Sequence, residues 1–129
     1  MNIFRTICRV LLGLIFTIFG LNGFLHFLKM PPPEGLAGQF LGALAASGYI
    51  YVVAGLQVAG GVLLLANRFV PLALVLLGPV IVNILLFHAL MEPGGIVPGV
   101  VTALLWLVVF SGVRQAFAGV FSSRGLPLK

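Results

Sequence analysis

In the stretch "LNGFLHFLKMPPPEG", residues 21–35, Asn22 and His26 stand four positions apart near the end of a long apolar run. On a helix that spacing puts an amide and an imidazole on one face. An amide donates and accepts hydrogen bonds, and an imidazole can also ligate a metal or carry a proton near neutral pH. Gln57, Asn83 and His88 interrupt later apolar runs in the same way, and Trp106 brings an indole N–H that needs an acceptor. Such a set suits recognition of quinone or carboxyl oxygens better than bond-breaking chemistry. The chain has two His and two acidic residues in all, too few for a zinc or di-iron centre. It has no phosphate-binding glycine loop, no serine elbow and no metalloprotease or calcium-loop pattern. The expectation is a protein that is not an enzyme on its own.

The elements that must position these groups are membrane helices. Of 129 residues, 61% are hydrophobic and 7% charged, a composition that would leave a soluble domain of this size with large exposed apolar patches. Four runs approach the ~20 apolar residues that span a bilayer: residues 10–28, 49–66, 70–90 and 96–114. They lack the alternation of barrel strands. The first run is too long for the apolar core of a cleaved signal peptide and has no small-residue cleavage site after it. Pro31–Pro33 end it. In the following stretch, residues 35–48, Gly38, Gly42 and Ala46 recur at one spacing and Leu36, Phe40 and Leu44 at the same spacing on another side. That pattern predicts a short interfacial or re-entrant helix with its small face against the bundle and its bulky face toward lipid. Asn67 suits a helix C-cap and Pro71 a first turn, so spans two and three form a tight hairpin. Gly78–Pro79 should kink the third span. Gly13, Gly20, Gly23, Gly55, Gly60 and Gly61 are expected to let helices approach closely. The fold class is thus an all-α membrane protein, a single domain of four transmembrane helices with a short extra helix in the first outer loop.

Charge sets the expected orientation. Arg5, Arg9, Arg68, Arg114, Arg124 and Lys129 fall at one side of these spans, and Lys29, Glu34 and Glu92 at the other. The bias puts both termini in the cytoplasm of an inner, cytoplasmic membrane. It also explains the net charge of +5 by contact with anionic lipid rather than nucleic acid. A single cysteine, Cys8, excludes an internal disulfide or a self-contained dithiol relay.

Depth then relates the polar residues, at ~1.5 Å per residue. Asn22 lies roughly 9 Å, Gln57 roughly 12 Å and Asn83 roughly 10 Å below the outer boundary, and His26 and His88 share a shallower level. This suggests an outward-opening pocket with amides at its floor and histidines at its rim, with Phe19 and Trp106 as apolar walls. Three readings stay open: amides that lock the bundle by bonding one another, a quinone or lipid-headgroup site, and axial ligation of a haem or chlorin by His26 and His88.

The segments "RVLLGLIFTIFGLNGFLHF" and "YVVAGLQVAGGVLLLANRFVPLALVLLGPVIVNILLFH", with the proline-rich loop between them, resemble the DoxX family over most of the chain. The resemblance implies a small four-helix membrane protein. It further implies an accessory subunit of a redox complex, such as a thiosulfate:quinone oxidoreductase, or a membrane partner of thiol- and oxidant-defence enzymes. Relatives in that family often carry an acid where this chain has Gln57, and an amide cannot exchange protons near neutral pH. The expected function is therefore an accessory subunit that binds a quinone or lipid. The alternatives are a purely structural subunit of a larger membrane assembly, with lipids and other subunits as partners, and a small transporter.

Overall fold

The computed structural model describes residues 2–26, 33–123 and 125. Among the described residues five α-helices follow in order: α1 (Ile3–Leu25), α2 (Gly35–Ser47), α3 (Tyr49–Ala66), α4 (Val70–Leu90) and α5 (Ile96–Val113). Two 3-10 turns, Pro93–Gly95 and Arg114–Phe117, flank α5. No strand occurs among the described residues. The segments of α1, α3, α4 and α5 are each long and apolar enough to cross a membrane, whereas α2 has only 13 residues.

The long helices of the second hairpin keep the expected bounds. Asn67 ends α3 in the left-handed region, φ 54°, with its N–H turned back to the carbonyls of Leu63 and Leu64. Pro71 occupies the first turn of α4, where a missing N–H costs nothing. The helix runs unbroken through Pro79. The first span differs. Asn2 accepts a hydrogen bond from the Arg5 N–H at 2.8 Å, so the helix starts at Ile3 rather than Val10 and takes in Arg5 and Arg9. It stops at Leu25 because His26 adopts φ 54° and returns its N–H to the Asn22 carbonyl. Leu28, Lys29, Pro31 and Pro32, expected to end this span and open the loop, lie outside the described residues, as do Arg124 and Lys129.

Around the bundle the order is α1, α3, α4, α5. Both α1 and α4 pack on α3 and α5 and so face each other across the diagonal. Leu12, Phe16, Leu64, Leu74, Leu77 and Val109 are fully buried between them. The closest approach is α1 to α3. A Cβ on Gly61 would come within 3 Å of the Thr17 hydroxyl, the Thr17 amide and the Gly13 carbonyl, and one on Gly20 would meet Val58 and the Ala54 carbonyl as closely. Gly60 instead receives Leu77 of α4. Gly55 borders open space, so it does not belong to this set of packing glycines.

The short helix packs by neither expected face: Leu36 and Phe40 are exposed as expected, but so are Gly42 and Ala46 of the small-residue face. Ala37 is its one buried residue, and Leu41 and Leu44 are half-buried on the same side. Gly42 and Ala46 are exposed, with nothing near a Cβ on Gly42, while Phe40 reaches α4 with its ring 5.7 Å from that of Phe87. The spacing of Ala37, Leu41 and Leu44 follows a helical stripe as well as the small residues do, and the larger side chains fill the gap.

Candidate functional site

At the end of the bundle holding Glu34 and Glu92, each polar residue has a definite setting. Helix packing fixes relative depth better than distance from a helix end does. Gly23 of α1 stands against Ala54 of α3, and Gly60 of α3 against Leu77 of α4. In antiparallel pairs that register places Asn22 and Asn83 level with the Ala54 turn, and Gln57 about one turn deeper. Their directions diverge. Asn22 is half-buried in the last turn of α1 and has a hydrogen-bonded or contacting partner. Gln57 is half-buried on the side of α3 between Ala54, which meets α1, and Gly60, which meets α4. Its amide makes no hydrogen bond among the described residues. Asn83 is exposed on α4, and its Nδ2 donates to the Pro79 carbonyl at 2.9 Å, within its own helix.

The histidines also separate. His26 is exposed at the α1 cap. His88 is half-buried, with Nδ1 3.1 Å from the Glu92 carbonyl oxygen and its ring edge-on to Phe87 at 5.0 Å. Its ring lies over Gly95, where a Cβ would come within 3 Å of it, so the imidazole braces the turn into α5. The two imidazoles stand on helices that lie across the diagonal. Trp106 is half-buried; its Nε1 donates to the Leu74 carbonyl of α4 at 3.0 Å, and its ring stacks on Phe110 at 5.4 Å. Thr102, the nearer acceptor by sequence, is occupied with the Gly99 carbonyl at 2.8 Å. Phe19 is exposed. The structure therefore brings Trp106 against α4 and His88 against the Glu92 turn, and it keeps Asn83 and His26 at the surface. No group of three or more potential metal-ligating side chains occurs among the described residues.

The opposite end holds what spacing alone did not reveal. Arg9 is buried between α1 and α3 and donates through Nη1 to the Leu64 carbonyl. Leu64 belongs to the last turn of α3, where the helix dipole is negative, and its carbonyl accepts from the guanidinium as well as from the Asn67 N–H. One turn away, Arg5 donates through Nε to the Ser111 hydroxyl of α5 at 3.1 Å. Ser111 borders an open cavity of about 460 Å³ at the surface, also lined by Pro71 and Val113, half-buried, and by the exposed Gly112, Arg114, Gln115 and Ala116. A signal for Arg9 was present: it falls on the same face as Gly13, Phe16 and Gly20, at helical spacings of four, seven and eleven. Taking Val10 as the start of the helix hid it.

No family model, no curated protein and no solved structure matches the chain.

Proposed function

We propose that the protein is a non-catalytic subunit of a larger assembly in the cytoplasmic membrane, with both termini on the cytoplasmic side. The observation that carries this reading is Asn83. Its amide stands exposed on α4 among Val75, Val82 and Leu86, all exposed as well. The bond to Pro79 uses one donor, which leaves its carbonyl oxygen and second N–H for a neighbour. Polar side chains of membrane helices face other helices far more often than lipid. A helix of another subunit against α4 supplies the missing contact. The resemblance to the DoxX family, several of whose members serve as subunits of redox complexes, supports the same reading and suggests the class of partner.

The narrower reading, a quinone or lipid held among Asn22, His26, Gln57, Asn83, His88 and Trp106, keeps one observation in its favour. Gln57 is half-buried toward the bundle interior without a hydrogen bond among the described residues, and a ligand oxygen or hydroxyl would satisfy it. Asn83 and His26, exposed at the surface, contribute nothing to that pocket.

The test is a native mass spectrum of the chain extracted from its own membrane in mild detergent, with and without Asn83→Leu. The subunit reading expects the unaltered chain within a larger complex, and the variant to weaken that complex about threefold to thirtyfold, the worth of one interhelical polar contact. A single chain in both preparations would overturn it, and a small-molecule adduct lost on Gln57→Leu would favour the pocket.

A further inference from the structure

We propose that the cavity between the start of α4 and the turn after α5 is a specific site for the phosphodiester headgroup of an anionic phospholipid. Four arginines, Arg5, Arg9, Arg68 and Arg114, gather at this end of the bundle, and both acidic side chains of the chain, Glu34 and Glu92, lie at the other end. The cations do not merely coat a surface. Arg114 lines the cavity, and Arg5 reaches its rim through the bond to Ser111. Pro71, in the first turn of α4, forms the facing wall. No side chain caps that helix, since Phe69 occupies the N-cap position in the left-handed region. Ala73 returns its N–H to the Phe69 carbonyl and Pro71 has none, so the N–H groups of Val70 and Leu72 are left to an outside acceptor, and the positive end of the helix dipole favours an anion.

The lining selects among anions. Arg114, Gln115 and Ser111 offer polar contacts, while Pro71, Val113 and Ala116 give the same cavity an apolar wall. A volume of about 460 Å³ exceeds what a bare phosphate fills and suits a phosphate with its glycerol attached. The position fits as well, because the cavity lies where the apolar helices α4 and α5 meet the arginine-bearing loops, the depth of a lipid's phosphate. The site stands at the opposite end from Asn83 and Gln57, so it is independent of the subunit reading.

The experiment titrates the full chain, purified in a neutral detergent, with phosphatidylglycerol or phosphatidylcholine and counts bound lipid by native mass spectrometry. The expected result is one preferred phosphatidylglycerol per chain, bound at least about tenfold more tightly than phosphatidylcholine. Arg114→Gln should weaken it about fivefold and Arg114→Lys restore most of the loss, whereas Arg68→Gln, outside the cavity, should change it by less than about twofold. Gln115→Leu, which narrows the cavity without altering charge, should weaken it too. Equal losses in Arg68→Gln and Arg114→Gln, or equal binding of the two lipids, would mean diffuse attraction and overturn the proposal. Displacement of the lipid by millimolar inorganic phosphate would overturn the choice of a lipid as occupant.

Discussion

Arg9 carries a full charge into the packed interface between α1 and α3, yet no acidic side chain lies at its end of the bundle. Its partner is the Leu64 carbonyl at the C-terminus of α3, which also accepts from the Asn67 N–H. The arrangement is economical in chemistry: the guanidinium is solvated by the negative end of α3, and α3 gains a contact beside its own Asn67 cap. Arg9→Met, which keeps much of the side-chain volume, should lower stability by about 1.5–3 kcal/mol, the range for hydrogen bonds to charged groups. Thermal unfolding in detergent with circular dichroism would measure it, and an unchanged midpoint would show that the bond contributes nothing. Polar side chains were legible in the sequence as a set, but their directions were not. Asn83 shares its depth with Asn22 as expected and points elsewhere, because depth along a helix says nothing about angle around it.

At the scale of elements, the existence of the long helices and the bounds of α3, α4 and α5 could be read almost residue by residue, since apolar length is what a bilayer demands, whereas α1 starts at Ile3, well before its apolar run. Which faces meet could not. The helices α3, α4 and α5 are apolar on every side, so lipid-facing and core-facing positions look alike. Glycine spacing was a partial guide. It correctly singled out Gly13, Gly20, Gly60 and Gly61, and it failed at Gly42 and Gly55, which border open space. The distinction is measurable. Gly61→Val should destabilise the bundle by about 1–3 kcal/mol through the clash with Thr17 and Gly13, while Gly55→Ala and Gly42→Ala should be neutral or slightly stabilising. Comparing the denaturation midpoints of the three variants would check this, and a mild Gly61→Val would mean that α1 and α3 can move apart at little cost. The misplaced packing face of α2 has the same origin: Ala37, Leu41 and Leu44 make as good a helical stripe as Gly38, Gly42 and Ala46, and the sequence ranks neither above the other.

For the whole molecule, the segregation of charge is the dominant feature. Arg5, Arg68 and Arg114 stand at one end and Glu34 and Glu92 at the other. The positive-inside rule turns this into an orientation that can be tested with single cysteines in a Cys8→Ala background. Ser123→Cys and Gly94→Cys both fall at exposed positions, at opposite ends. A membrane-impermeant maleimide applied to intact cells should label Gly94→Cys and leave Ser123→Cys unmodified until the membrane is opened. The reverse pattern would turn the bundle over and put the arginine cavity on the outside.

The bond from Arg9 to Leu64 joins positions 55 residues apart in the chain. A ribosome adding ~5–20 residues per second needs roughly 3–11 s to make the intervening segment. Throughout that interval the first helix exists without the acceptor for its buried charge. In a bilayer, the Arg9-bearing end of α1 would therefore wait at the water boundary, where headgroups and solvent can hold the guanidinium, until α3 arrives. Assembly of this bundle thus has a built-in order of events, in which α1, made before α3, is among the last helices to settle.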